Sequence, residues 1–134
     1  MREILFRGKR KDNGEWEYGD LWCNPYGKRV VCIVSPMNDQ GTTGGNEVDP
    51  ETVGQYTGLK DKNGKKIFEG DIVKIPLYEG CQERVIAVVA WDILCAVFYL
   101  HGKRVNTDFY HYFGNDCEII GNIHDNHELL EGGE

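Results

Sequence analysis

The segment from Tyr56 to Val73 constrains the fold more than any other part of the chain. It contains two turn signals, Asn63-Gly64 and Gly70-Asp71, and a short apolar run follows each of them. An Asn-Gly pair favours a hairpin turn because both residues tolerate a positive φ at little steric cost. A short Asp side chain after a glycine bonds backbone amides one or two residues on. The segment therefore predicts two strands joined by a tight turn, and a second turn that starts a third strand.

A similar pattern occurs near the N-terminus. Residues 11–21 align with residues 62–72 when one residue is inserted, and both copies contain Asn-Gly, then Gly-Asp and an aliphatic residue. Chance similarity of turn chemistry is the alternative explanation. If the repeat is real, two small β units are built from the same type of hairpin. The turn-forming residues of the two copies are Asn13, Gly14, Gly19, Asp20, Asn63, Gly64, Gly70 and Asp71.

Length and composition favour a mostly β protein. The 134 residues include 17 glycines in turn-like contexts, and many turns indicate many short strands. We predict small SH3-like β-barrel or sheet units built from repeated hairpins, with a short C-terminal helical turn. They form a single domain over residues 1–134. It has two possible subunits, an N-terminal β unit at 1–52 and a C-terminal β-barrel unit at 53–134.

Hydrophobic patterning places the main strands. Val30–Val34 and Arg84–Trp91 read as buried strands, and the near-continuous apolar character of the second predicts burial on both faces. Residues 35–52 contain too few apolar side chains to bury for the segment to become ordered by itself. They therefore predict a mobile loop, with a functional loop as the alternative. Cys117–Ile123 predicts the last strand, and residues 127–130 predict a single helical turn.

The charge of the chain argues against several classes of partner. A formal net charge of −7 opposes binding to a phosphate backbone, which depends on Lys and Arg. No apolar run approaches the roughly 18 residues that span a bilayer, and the N-terminal apolar stretch is too short for a signal peptide. We expect a cytoplasmic protein without a membrane partner. The five cysteines are odd in number, include no Cys-x-x-Cys pair and are interpreted as reduced structural thiols.

Several motifs of the chain occur together in one protein family. They are Ile4–Lys9, residues 14–20, Val53–Leu59, Asn63-Gly64, Ile67–Val73 and Ile119–Asn126. In this combination the chain resembles the YopX-like family of bacteriophages and prophages of mostly Gram-positive bacteria. The resemblance covers nearly the whole chain and implies a mostly β fold with SH3-like barrel character, but no established activity. His127 stands where the family often has proline, which affects only the start of the last turn.

Metal binding and nucleophilic catalysis each have a candidate residue set. His124 and His127, with Asp116 and Cys117 upstream, have side chains of the metal-ligand type, but nothing indicates a closed set of four ligands. Cys117 is close in sequence to His111, as a nucleophile and its base would be, but no acid that orients the histidine can be named. We interpret the histidines as surface residues and the cysteine as a buried hydrophobic residue.

Carboxylates and glycines offer two further candidates. Glu69, Asp71 and Asp92 could form a pair for acid–base chemistry, but Asp71 is better explained as a turn former. Gly41–Gly45 lacks the Lys-Ser/Thr pair and the helix of a phosphate-binding loop. We therefore predict no catalytic, cofactor-binding or metal-binding residue.

Two basic turns form the one candidate binding patch. If both hairpins face the same way, an acidic protein still has a positive surface, and Trp16, Tyr18, Tyr56 and Phe68 could stack on bases. The alternative is that the basic side chains are solvated and the aromatic rings lie in the core. The patch consists of Arg7, Lys9, Arg10 and Lys11 at the first turn and Lys60, Lys62, Lys65 and Lys66 at the second.

The resemblance implies a phage or prophage accessory protein, and the residues favour one that binds a phage or host protein without catalysis and without a cofactor. Self-association through exposed strand edges is left open. The first alternative is a nucleic-acid-binding module that uses the two basic turns. The second is a hydrolase or metal enzyme, which would need a metal at His124 and His127 or a thiol of lowered pKa.

Overall fold

The computed structural model describes residues 2–24, 30–34, 45–109 and 116–131. These residues contain eleven β-strands, one short 3-10 helix and one short α-helix, so the mostly β class is confirmed. The chain divides into two compact units, Met1–Tyr56 and Thr57–Glu134, whereas the predicted subunits meet between residues 52 and 53.

Unit 1 is an antiparallel sheet in the order β4-β3-β2-β1-β5. Its strands alternate residues between a buried and an exposed face, as the period of two requires. The buried face contributes Val31, Ile33 and Val48 to a small core, against which Phe6 and Leu21 pack. The strands are β1 (Phe6–Lys9), β2 (Trp16–Cys23), β3 (Val31–Val34), β4 (Gly45–Glu47) and the first part of β5 (Gly54–Lys60).

The loop prediction for residues 35–52 is wrong in its second part. Gly45–Glu47 pair with β3, and Pro50–Thr52 form the 3-10 helix. The Asp49 side chain caps this helix by accepting a hydrogen bond from the amide of Glu51 at 3.1 Å. Pairing with a neighbouring strand orders a sequence that is too polar to order itself. Residues 35–44 lie outside the described residues, and their mobility stays a prediction.

Unit 2 contains an antiparallel sheet in the order β10-β9-β8-β7-β11. Strand β5 crosses from unit 1 into unit 2, and β6 is its neighbour there. The core of unit 2 includes Ile67, Val73, Ile75 and Leu100. The elements are β6 (Lys66–Phe68), β7 (Asp71–Pro76), β8 (Arg84–Asp92), β9 (Val97–His101), β10 (Asn106–Asp108), β11 (Glu118–Asn122) and α1 (Glu128–Glu131).

The prediction that β8 is buried on both faces is wrong. Val85, Ala87 and Val89 are fully buried, whereas Ile86 and Val88 between them are half-buried. The core covers one face of the sheet, so an apolar run does not by itself imply burial on both sides. In the described residues the strand order of unit 2 is open, with β10 and β11 at its edges. SH3-like closure of a barrel stays a prediction.

The two copies of the hairpin pattern share one turn and differ at the other. Gly14 and Gly64 have φ values of +73° and +80°, and the backbone closes over each turn by comparable hydrogen bonds. Gly70 has a φ of +92° and forms the turn before β7. The turn predicted at Gly19-Asp20 is corrected, because both residues lie inside β2. The repeat therefore does not extend to the Gly-Asp pair.

Candidate functional site

Acidic side chains neutralise part of the predicted basic patch in unit 1. Arg10 donates to Asp12 through Nε at 2.9 Å and Nη2 at 2.6 Å, and its Nη1 lies 3.3 Å from Glu17. The hydrogen bonds from Arg10 lower the pKa of Asp12 below its ordinary value. Lys11 Nζ lies 3.1 Å from a carboxylate oxygen of Glu47. Arg10 and Lys11 thus each have an acidic partner, which weakens the local positive potential.

Arg7 and Lys9 contact Trp16 rather than forming a free basic surface. The Arg7 guanidinium carbon lies 4.6 Å from the ring centroid, and Lys9 Nζ lies 5.8 Å from it, both within cation–π range. Arg7 is only 6% exposed, so its place in an exposed patch is corrected. Tyr18 and Trp22 are on the same face of β2 as Trp16 by strand alternation, and both are exposed.

The lysines of the second turn are more exposed. Lys60, Lys62 and Lys65 are exposed, and Lys66 is half-buried. Lys62 Nζ lies 3.5 Å from Glu118, which is a solvent-screened contact. That the lysines of unit 2 join the basic residues of unit 1 in one patch stays a prediction.

Asp61 is a structural residue that sequence reasoning missed. It is 6% exposed, and its Oδ1 accepts hydrogen bonds from the amides of Asn63 and Lys65 at 2.9 Å each. Its Oδ2 accepts a hydrogen bond from the amide of Ile119 in β11 at 3.0 Å. Burial by itself would raise the pKa of Asp61, but these three donors and nearby Lys65 lower it below its ordinary value. Asp61 thereby ties the second turn to the C-terminal strand.

Among the described residues of unit 2, the two most exposed large apolar side chains, Ile93 and Leu94, lie where β8 turns into β9. We call residues 91–97 the apolar tip. Trp91, Ile93, Leu94 and Val97 are 43%, 82%, 91% and 40% exposed. Hairpin tips are usually polar, because turn residues such as Asn, Asp and Gly suit both their backbone and water. An aliphatic pair in this position is therefore unusual, and that pattern is visible in the sequence.

The apolar tip has a defined backbone. The Asp92 side chain accepts hydrogen bonds from the amides of Leu94 at 2.9 Å and Cys95 at 3.2 Å. The amide of Ala96, which has a φ of +56°, donates to the carbonyl of Asp92 at 2.8 Å. Asp92 is thus a turn former. The hydrogen bonds hold Ile93 and Leu94 in positions that face water.

An apolar groove lies on the same sheet of unit 2. It has a volume of about 230 Å³ and is open to solvent. Aliphatic side chains of β8 and α1 form most of its wall, and His101 and Lys103 stand at its rim. Its lining residues are Ile86, Val88, His101, Gly102, Lys103, Leu129 and Leu130.

Comparison with protein families identifies the chain. A family model described as "YopX protein" matches residues 5–131, which is nearly the whole sequence and includes both units. The chain belongs to the YopX family. The resemblance seen in the sequence motifs is therefore confirmed.

A solved structure shares the fold of this YopX-family chain. The crystal structure of protein EF1440 from Enterococcus faecalis is similar to it with a TM-score of 0.59 and 24% sequence identity. The similarity covers 97% of this chain and 99% of that chain. At this identity it shows a common fold and no more. Among curated proteins, none matches the chain significantly.

Cys117 of this YopX-family chain has the surroundings of a core thiol. It is fully buried, and burial, together with the charges of Asp61 and Asp71, raises the pKa of its thiol to about 12. A thiol of raised pKa is a poor nucleophile at neutral pH, because the thiolate is the reactive form. Its suggested partner His111 lies outside the described residues. Cys95, by contrast, is exposed in the apolar tip.

The other chemical candidates have structural roles or surface positions. Asp71 is buried and accepts a hydrogen bond from the amide of Phe68 at 2.7 Å, as a turn former does. His127 is exposed and lies 3.3 Å from Glu131. Within the described ranges, no group of three or more His, Cys, Asp or Glu residues is placed to hold a metal ion. The same ranges contain no helix with the length and apolar character needed to cross a membrane.

Proposed function

We propose that this YopX-family protein is a non-catalytic accessory protein of phage or prophage origin that binds another protein through its apolar tip. The observation that carries the proposal is the exposure of Ile93 and Leu94 on a turn with a defined backbone. Clustered exposed apolar side chains mark interaction sites more often than they serve the fold. The phage context and the SH3-like character come from the family resemblance, and five free thiols fit the reducing cytoplasm of a host cell.

The composition of the tip fits a protein interface. Burying a Leu-sized side chain is worth about 1.5–3 kcal/mol, and interface anchors are often aromatic. Trp91 can serve as such an anchor, because it is 43% exposed and packs edge-on against Phe98 at a centroid distance of 4.8 Å. The Asp92 hydrogen bonds hold the turn before binding, so little conformational entropy is lost on association.

Replacing Leu94 with aspartate should remove the bound protein. The test is an affinity capture from nuclease-treated lysate of phage-infected cells, with mass spectrometry of what is retained. We expect Leu94→Asp to reduce the retained partner about tenfold or more, because a charge replaces a central apolar contact. The matched control is Tyr78→Asp, which changes a side chain that is 63% exposed in another turn of unit 2. Equal retention by wild type and Leu94→Asp would contradict the proposal.

Nucleic-acid binding is the second candidate function. Three exposed lysines in one turn and the exposed rings of Tyr18 and Trp22 favour it, since such proteins combine basic grooves with stacking faces. The net charge of −7 and the ion pairs of Arg10 and Lys11 weigh against it.

Charge reversal of the second turn distinguishes this candidate from protein binding. A nucleic-acid function requires that Lys62→Glu, Lys65→Glu and Lys66→Glu together lower the salt dependence of binding to a labelled single strand. The slope of log K against log salt would fall by about 2, at roughly 0.7 per lost phosphate contact. If the protein binds another protein instead, fluorescence anisotropy should show only weak binding of the single strand, and the salt dependence should be the same for the wild type and the triple variant. The control is Arg2→Glu, which reverses an exposed charge outside both turns.

A further inference from the structure

The apolar tip and the apolar groove lie at different positions along one hairpin of unit 2. Val88 and His101, at the groove, face each other across the β8–β9 ladder, whereas Asp92 faces Val97 where the tip begins. Val88 and Asp92 are four positions apart along the strand, which corresponds to about 13 Å. A rigid hairpin therefore cannot fold its own tip back into its own groove.

The groove matches the tip in size and in chemistry. Its volume is about 230 Å³. By comparison, an aliphatic cavity of about 150 Å³ accepts a molecule as large as benzene. A leucine or isoleucine side chain therefore fits. Ile86, Val88, Leu129 and Leu130 form its apolar wall, so an entering Leu94 would exchange water for aliphatic contacts.

The charged residue within the apolar tip, Asp92, is acidic, whereas the lysine among the residues that line the groove, Lys103, is basic. Asp92 lies at the base of the tip, and Asp108 is exposed on β10, which pairs with β9. Lys103 is exposed and lines the groove, whereas Lys74, which pairs with Ile86 of the groove wall, also pairs with Glu118 of β11. The helix α1 adds acidic residues to the groove side, but one of them, Glu131, lies 3.3 Å from His127. The strand side of the groove thus attracts the acidic base of a tip.

We infer that the partner of the apolar tip is a second copy of this chain, whose groove receives Leu94. This inference rests on the proposed function and names the partner of the same surface. Because each copy has one tip and one groove, two copies can exchange tips reciprocally about a two-fold axis. Such a contact closes as a dimer and leaves no free tip.

Sedimentation equilibrium of wild type and variants at micromolar concentrations tests the inference. We expect the wild type to be a dimer. Leu94→Asp places a charge on both tips of that dimer, and Leu130→Asp places one in both grooves, so each variant should self-associate about 30-fold more weakly. An equal mixture of these two variants keeps one intact tip with one intact groove, so it should associate more tightly than either variant alone. Tyr78→Asp should remain as dimeric as wild type.

Two controls show whether weaker self-association results from a variant that does not fold. Leu94 is 91% exposed, so circular dichroism of Leu94→Asp should match wild type. If Leu130→Asp does not fold, Lys103→Glu at the exposed rim replaces it and should weaken the dimer about threefold by loss of attraction.

Three results would overturn the inference in distinguishable ways. A wild-type monomer whose tip captures a lysate protein, with loss of capture in Leu94→Asp, refutes self-association and leaves the proposed function standing. A monomer with neither capture nor dimer refutes both. A monomer that sediments with phosphatidylglycerol vesicles only when Leu94 is intact replaces the second copy with a lipid surface.

Discussion

Replacing Asp61 with alanine should lower the free energy of unfolding of unit 2 by roughly 3 kcal/mol. The side chain accepts three backbone hydrogen bonds, from Asn63, Lys65 and Ile119, and alanine leaves these donors without their acceptor. A charged acceptor makes each of these bonds stronger than a neutral one. Chemical denaturation measures the loss. Hydrogen exchange locates it, because the Ile119 amide should lose protection first.

The Asp61→Asn variant distinguishes the hydrogen bonds within the turn from the hydrogen bond to β11. In Asp61→Asn the amide oxygen can still accept from Asn63 and Lys65, but the NH₂ group then faces the amide of Ile119, donor against donor. We expect about half of the alanine effect and faster exchange at Ile119. Asp116→Asn is the control, because it changes an exposed aspartate of the same unit. Equal stability of Asp61→Ala and Asp116→Asn would show that the hydrogen bonds of Asp61 do not stabilise unit 2.

The pH dependence follows from the direction of the Asp61 shift. Its pKa is lower in the folded state than in the unfolded state, because the backbone donors favour the carboxylate despite its burial. The unfolded chain therefore takes up the proton first as the pH falls. The stabilisation is present above the unfolded pKa of about 4 and is lost as the pH falls through the folded value. Asp61→Asn should flatten this part of the acid transition, and an unchanged slope would contradict it.

Local chemistry explains what the sequence predicts well. The Asn-Gly turns at Gly14 and Gly64 depend on residues within a few positions, so their positive φ values can be anticipated. Strand β8 contains a continuous apolar run from Val85 to Trp91, and β11 contains the Ile119-Ile120 pair, so hydrophobic patterning indicates both strands. The family motifs extend the same information along the chain.

Features that depend on distant chain segments cannot be predicted in this way. The Asp61 carboxylate meets Ile119, which is 58 positions later, and nothing near Asp61 signals that contact. Arg7 is buried because the sheet places Trp16 over its guanidinium, whereas its sequence neighbours suggest a basic tip. The exposure of Leu94 reflects the absence of covering residues in the described fold, which strand periodicity does not encode.

The role of Gly19 also depends on a distant chain segment, and it leads to a prediction about the stability of unit 1. The Gly-Asp repeat marks it as a turn residue, but it lies inside β2 at a close approach to the neighbouring backbone. A Cβ added there would clash with the carbonyl oxygen of Val34 and would lie 3.3 Å from the Ile33 side chain. Glycine is thus required by contact rather than by a positive φ.

Gly19→Ala should lower the free energy of unfolding of unit 1 by about 3 kcal/mol, because the clash is with backbone that pairs in the β2–β3 ladder. The Val34 carbonyl can move away only by distorting that ladder. Gly45→Ala is the matched control on β4, since its added Cβ would meet only a Val34 methyl group at 3.7 Å, an ordinary contact. It should change stability by less than about 0.5 kcal/mol. Urea denaturation followed by the fluorescence of Trp16 and Trp22 in unit 1 measures both variants. Similar midpoints for the two alanine variants would contradict the prediction and show that the sheet relaxes around residue 19.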